Sequence, residues 1–352
     1  MTNEPNGLRD SQNTECHLIT PRSLKAQYPL SLQDHSRVSE FRKTVANIIK
    51  GKDARLLVIC GPCSIHDCNA AIEYAQRLKA LSDKVQQKIF IVMRSYFEKP
   101  RTTVGWKGLI NDPYYDGACD IEQGLKMARD LSIKLTKIGV PIASEMLDPN
   151  ISYYFDDVFS WAAIGARTTE SPTHREMASR LPMPVGFKNN TNGCVTVALN
   201  AVASASRSHR FIGINQNGHA SILTSSGNLS GHIILRSGKT PNYYPDSVQA
   251  CIREIKKSGL SSTIVIDCSH GNANKDYRQQ VAVAASVIEQ ITRGNRHIVG
   301  LMLESNINEG NQPINATEQR QYGVSMTDGC INWKTTEDII LDAHQALMLA
   351  SV

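Results

Sequence analysis

No apolar run in this chain of 352 residues approaches the roughly eighteen needed to cross a bilayer, so no membrane span is expected. The opening "MTNEPNGLRD" lacks the basic-then-apolar order of a secretory leader. Cysteine is sparse and odd in number: nine, thinly scattered, which suits free thiols in a cytoplasm rather than a disulfide framework. An excess of one charge is also missing. Thirty-eight Lys and Arg against 33 Asp and Glu leave a net +5, which a solvated surface explains without a nucleic-acid partner. No repeat at a solenoid period and no strong linker divides the chain. What remains is an ordinary globular composition, 41% hydrophobic and 20% charged, long enough for two average domains or one large barrel.

Residues 1–33 read as irregular, with Pro21 and Pro29 breaking any helix. Over 36–50, Val38, Phe41, Val45, Ile48 and Ile49 recur at helical spacing, and Gly51 follows as a stop. Short apolar runs then alternate with amphipathic stretches of helical length. They are "LLVIC" (56–60), "IFIVM" (89–93), "VPIASEML" (140–147), "WAAIGA" (161–166), "PVGF" (184–187), "HIIL" (232–235), "TIVIDC" (263–268) and "IVGLML" (298–303). Eight such units predict a parallel sheet covered on both faces and closed as a (β/α)8 TIM barrel over residues 55–352. An open doubly wound sheet would leave some of the runs unused. One stretch departs from the alternation: "FIGINQNGHASIL" places two short apolar runs around Asn217-Gly218, predicting an inserted β-hairpin at about 211–225.

Chemistry in such a barrel sits where the strands end. The first polar residues after each run are Cys63 and His66; Arg94, followed by Lys99, Arg101, Thr102 and Lys107; Glu145; Arg167; Lys188; Arg236; Asp267 and His270; and Glu304. Any one of them alone reads as a solvated loop residue. Four runs end in Arg or Lys, however, and cations gathered on one rim repel unless anions neutralise them. Guanidinium forks suit phosphate and carboxylate oxygens, so Arg94, Lys99, Arg101, Arg167, Lys188 and Arg236 predict anionic substrates. Cys63, His270 and Glu304 follow strands that become neighbours on closure, and Asp328 lies beyond the last strand. That mixed set suits a borderline divalent ion such as Mn, Fe, Co or Zn, or else a hydrogen-bonded polar cluster. The tetrapeptide Cys60-Gly61-Pro62-Cys63 also matches a redox dithiol, although Ile59 precedes it and the flanks are those of a long barrel.

The motifs "GPCSIHD", "RSYFEKPRTTVGWKGLINDP", "IGARTTES", "PVGFKN", "DCSHGN" and "ITRGNRHIVGLMLESNINEGNQ" together resemble the type I 3-deoxy-D-arabino-heptulosonate 7-phosphate (DAHP) synthases. The likeness runs from about Leu24 to the C-terminal helix and is closest to the tyrosine-sensitive members. It implies condensation of phosphoenolpyruvate with erythrose 4-phosphate, the entry to aromatic amino acids, in a cytoplasmic homodimer or homotetramer. It implies one divalent metal ion per subunit, on Cys63, His270, Glu304 and Asp328. Phosphoenolpyruvate would be held by Arg94, Lys99, Arg167, Lys188 and Arg236, and the erythrose 4-phosphate phosphate by Arg101 and Thr102. Lys99, Glu145 and His270 are the candidates to assist the attacking water. Arabinose 5-phosphate is the sister substrate, which "KPRTT" disfavours.

The chain departs from the family pattern in places. It has "KNNTNG" where relatives carry "KNGTDG", and "RSGK" where "RGGK" is usual. The resemblance also implies an effector pocket for tyrosine or phenylalanine, built from the N-terminal segment (residues 1–54, regulatory or oligomerising), the hairpin and loops after strands three and four. Phe211 fits that pocket. Ser152 replaces a common proline, and Arg180 and Pro182 stand where Gly and Ser are usual, which predicts altered or weak feedback inhibition.

Overall fold

The computed structural model of the protein describes residues 15–101, 105–260, 262–314 and 320–350. Eight parallel strands close into a barrel: β1 (Leu56–Gly61), β2 (Ile89–Arg94), β3 (Ile142–Glu145), β4 (Trp161–Ile164), β5 (Val185–Lys188), β8 (Gly231–Leu235), β9 (Ile264–Asp267) and β10 (Ile298–Glu304). All eight runs picked out by their apolar character become these strands. Between β5 and β8, β6 (Arg210–Ile214) and β7 (Ala220–Thr224) pair antiparallel as a separate hairpin, turning at Asn215–His219.

The helices α1 (Pro21–Gln27), α2 (Leu32–Ile49), α3 (Cys68–Val85), α4 (Ile121–Ile138), α5 (Ser152–Phe155), α6 (Pro172–Arg180), α7 (Val195–Ala205), α8 (Pro245–Ser258), α9 (Gln280–Thr292) and α10 (Trp333–Leu349) complete the fold. No helix among the described residues is long and apolar enough to cross a membrane. Two N-terminal expectations need correction. Pro21 does not prevent a helix; it opens α1 at the first helical position, where its missing N–H costs nothing, and the Thr20 hydroxyl caps Ser23. Likewise α2 starts at Leu32 rather than 36, because Ser31 caps the amide of Asp34 and fixes the first turn.

Alternation along the strands sorts the core. Leu56, Val58 and Cys60 face the helices, while Leu57, Ile59, Val92, Ala143, Trp161, Ala163, Ile234, Val265 and Met302 fill the barrel. Val45, Ile48 and Ile49 of α2 join the inner group and close the N-terminal end of the barrel. The Ile49 carbonyl accepts a bond from Thr263 Oγ1 at 3.0 Å, tying the plug to the chain entering β9. Just inside, Trp161 Nε1 donates to His232 Nε2 at 3.0 Å, both residues fully buried. The chemistry-bearing residues are thereby left to the opposite, C-terminal end.

Candidate active site

Each strand end delivers its polar residue to one rim. Behind β1, the chain turns through Gly61 and Pro62 and presents Cys63, fully buried, on the site side. Cys60 faces the helices instead, and all nine cysteines are free. The two sulfurs of the tetrapeptide thus serve different surroundings, and the dithiol reading falls. From the segment after β2, Lys99 Nζ reaches Cys63 Sγ at 3.0 Å and the Cys63 carbonyl at 3.2 Å. Asp328 Oδ2 lies 3.6 Å from the same sulfur. Ligand atoms of Cys63, Glu304 and Asp328 all fall within 4.8 Å of one another.

Burial, reinforced by the Glu304 carboxylate, pushes the Cys63 thiol up to about 11. Asp328 moves the other way: burial opposes its charge, but Lys99 and His270 outweigh that and hold the carboxyl below its usual range. One soft sulfur and two hard carboxylates face a common point, with Lys99 on the sulfur and Arg94 on Glu304. The donor set therefore fits a divalent metal ion of borderline softness. His270 stands beside this set. Its Nε2 is 3.8 Å from Glu304 Oε1, while Nδ1 turns to Ser269 Oγ at 2.7 Å and Asp267 Oδ2 at 3.1 Å. One ring nitrogen held by hydroxyl and carboxylate, with the other aimed at the cluster, is the arrangement a metal-ligating imidazole requires.

Two buried ion pairs flank the cluster. Arg94, only 1% exposed, pairs with Glu304 Oε1 at 3.0 Å, and its guanidinium lies 4.1 Å from the Tyr96 ring centroid. Lys188 Nζ approaches Asp267 Oδ2 at 3.1 Å. Burial disfavours the Asp267 charge, but His270, Lys188 and Arg94 together hold it well below the usual carboxylate range. Glu145 is buried on the same side, with its Oε1 packed over Gly165, where a Cβ would come within 2.1 Å. Nearby Glu98 is pushed up to about 8 by burial, with Asp148 and Glu145 adding repulsion.

The remaining predicted residues lie further out. Arg167 is exposed, its Nη1 3.4 Å from the Pro100 carbonyl, and Arg101 is exposed with Nε bonded to the Trp106 carbonyl at 3.0 Å. Arg236 is half-buried, and its amide donates to Asn189 Oδ1 at 2.9 Å. Thr102 lies outside the described residues. Ser152 Oγ donates to the Pro149 carbonyl at 2.6 Å, Pro182 is exposed just before β5, and Phe211 is half-buried on the hairpin. In "KNNTNG", Asn190 Nδ2 donates to Glu170 Oε1 at 2.9 Å, linking the loops after β4 and β5. Asn190 does not need positive φ; Gly193, at +96°, makes that turn.

Several functional side chains carry no signal at their own positions. Asp267 ends a buried run and was visible as a strand-end acid, but its bridging of Lys188 and His270 was not. Gln280 Nε2 donates to the Glu304 carbonyl at 3.0 Å while its Oε1 accepts from the Glu304 amide at 2.8 Å. It fixes Glu304 from α9, 24 residues away, and nothing local announces it.

The DAHP synthetase I family model matches residues 27–340. The Tyr-sensitive phospho-2-dehydro-3-deoxyheptonate aldolase of Escherichia coli (strain K12) is 56% identical over 331 residues, covering 94% of this chain and 93% of that protein. A tyrosine-inhibited relative from Candida albicans is 49% identical, over 94% of this chain and 91% of its own. Among solved structures, the phospho-2-dehydro-3-deoxyheptonate aldolase from Francisella tularensis SCHU S4 matches with a TM-score of 0.94 at 44% identity, covering 97% and 99% of the two chains. Similarity this extensive, on the same closed barrel, leads to one conclusion: the chain belongs to the DAHP synthetase I family.

Proposed function

We infer that this enzyme condenses phosphoenolpyruvate with erythrose 4-phosphate and water to give DAHP and phosphate. The observation that carries the reading is the gathering of Cys63, Glu304 and Asp328 beside Lys99, with the Arg94 and Lys188 ion pairs on either side. Cys63, His270, Glu304 and Asp328 would hold a divalent ion, which would supply Lewis acidity for the aldehyde of erythrose 4-phosphate. The new bond forms from C3 of phosphoenolpyruvate to the aldehyde carbon, water adds at C2, and phosphate leaves with cleavage of the C–O bond. No enzyme nucleophile is needed, so the task of the chain is positioning. Arg94, Lys188, Lys99, Arg167 and Arg236 hold the charges of phosphoenolpyruvate. Arg101 and Thr102 take the phosphate of the sugar. Lys99, Glu145 and His270 remain the groups suited to moving the proton of the attacking water.

The test follows loss of phosphoenolpyruvate with erythrose 4-phosphate or arabinose 5-phosphate, before and after chelation. Turnover with the four-carbon sugar alone, abolished by chelator and restored by manganese, is the expected result. Activity surviving rigorous metal removal sinks the metal assignment, and no turnover with either sugar sinks the whole reading.

The N-terminal segment, the hairpin and the loops after β3 and β4 carry the proposed effector pocket. Arg22 N donates to the Gln216 carbonyl at 2.9 Å and Lys25 Nζ to Gln216 Oε1 at 3.0 Å, so α1 is bonded to the hairpin turn. Beside it, the Arg180 guanidinium lies 5.1 Å from the Tyr153 ring centroid, where a smaller residue would leave room. Pro182 offers no hydroxyl. Weak inhibition by tyrosine or phenylalanine is therefore expected, and full inhibition by low tyrosine refutes it.

A further inference from the structure

The loops after β5, β8 and β9 are joined by three asparagines. Asn189 Oδ1 accepts from the Arg236 amide at 2.9 Å, and its Nδ2 donates to the Ser237 carbonyl at 2.7 Å. Asn242 Oδ1 accepts from the Ser237 amide at 2.8 Å, and Asn242 N donates to Asn272 Oδ1 at 2.8 Å. Asn272 Nδ2 then donates to the Asp267 and Leu235 carbonyls at 2.8 and 3.2 Å. Ser237 sits at the centre of this lattice and breaks two local rules. Its φ is +80°, a left-handed conformation that favours glycine, and its hydroxyl is buried without a hydrogen-bond partner.

That hydroxyl packs against Gly271. A Cβ built on Gly271 would lie 1.8 Å from Ser237 Oγ and 2.9 Å from Ser237 Cβ, whereas the next atom, the Arg236 carbonyl oxygen, is 3.8 Å away. Gly271 follows His270, itself held at φ +54°. The Ser237 side chain is thus the wedge between its own backbone, which follows Arg236, and Gly271, which follows His270. Strain of this kind persists only where surrounding bonds over-determine it, and it concentrates at functional sites.

We propose that Ser237 is a positioning residue that sets the separation between Arg236 and the His270 turn, and so acts on phosphoenolpyruvate through Arg236. This rests on the assignment of Arg236 to that substrate. Because the wedge touches no reacting atom, its loss loosens one phosphate contact and leaves the bond-making groups in place.

The experiment is a reciprocal pair. Ser237→Gly removes wedge and strain together, so it folds, and KM for phosphoenolpyruvate rises roughly tenfold while kcat and KM for erythrose 4-phosphate stay within about twofold. Gly271→Ala alone drives a methyl into Ser237 Oγ and depresses activity or expression. Adding Ser237→Gly opens that space to ordinary contact distance, so the double variant recovers to the level of Ser237→Gly. Unchanged KM for phosphoenolpyruvate in Ser237→Gly overturns the proposal, as does a uniform fall in every kinetic constant. Failure of the double variant to exceed Gly271→Ala overturns it too. Wild-type enzyme without phosphoenolpyruvate turnover would instead indict the functional reading.

Discussion

The two ends of the barrel are built from the same eight strands and behave as opposites. At the floor, Val45, Ile48 and Ile49 of α2 meet Trp161 and the inward aliphatics, and Trp161 with His232 is satisfied, although the Ser160 and Ser262 hydroxyls near the strand starts have no partner. At the rim, Arg94, Lys188, Glu145, Asp267 and Glu304 are all buried, and Ser95 Oγ, Tyr96 Oη and Ser237 Oγ have no protein partner. The floor minimises free energy by excluding water from apolar surface. The rim holds charge in place at a cost to stability, because buried ions lose hydration that their mutual attraction only partly offsets. Stability and chemistry are segregated along the strand axis.

Breaking the rim should cost activity first. Arg94→Ala leaves Glu304 without its buried cation and removes a proposed contact to phosphoenolpyruvate, so kcat/KM should fall roughly 10²–10³-fold. Metal-depleted protein should also melt earlier, because Cys63, Glu304 and Asp328 then lose a ligand that binds only the folded state; calorimetry with and without metal checks this. Breaking the floor should do the reverse. Ile48→Ala empties part of the plug and should cost about 2–5 kcal/mol in denaturant titration, with kcat nearly unchanged. Loss of turnover at full folding would erase the distinction between the ends.

His232 sharpens the comparison through pH. Burial lowers its pKa from 6.5 to about 4. The folded state refuses a proton that the unfolded state accepts. Its contribution to stability is therefore complete above pH 6.5, is lost as pH falls toward about 4, and levels off below. The integrated loss is at most about 3 kcal/mol. His232→Gln keeps an acceptor for Trp161 but does not titrate, so its melting temperature should decline less than wild type over that window. Equal declines would remove His232 as the cause. The smallest effect is expected at the lip: Asn190→Gly loses an exposed bond to Glu170 and one from the Cys194 amide, which Asn192 Oδ1 still accepts, and should change stability by less than about 1 kcal/mol and kcat by under twofold.

The barrel was legible because strands buried on both faces must be apolar along their whole length, and eight such runs survive in the sequence. The cations and acids at strand ends were legible for the same reason, since each stands immediately after an apolar run. Helix α1 is hidden in the sequence because Pro21 looks like a breaker, although at the first turn proline is a starter; Pro29 does fall in the break between α1 and α2. Asn189, Asn242, Asn272 and Gln280 stayed invisible because their roles depend on loops that meet only after closure. An asparagine that staples two loops looks, in sequence, like any turn residue. The serine in "RSGK" shows in sequence only as a departure from "RGGK"; the backbone at Ser237 reveals that it stands where glycine would be at ease.

The plug formed by α2 has a consequence for traffic. With the floor sealed, the barrel has one mouth, and everything must enter and leave by it. Under the proposed roles, the deepest charges, Arg94 and Lys188, belong to phosphoenolpyruvate, while Arg101 at the exposed lip belongs to the sugar. A vessel with one opening fills from the bottom, so the sugar phosphate arriving first would block the way of its partner. Under those roles, a packed barrel open at one end would turn two independent arrivals into a queue.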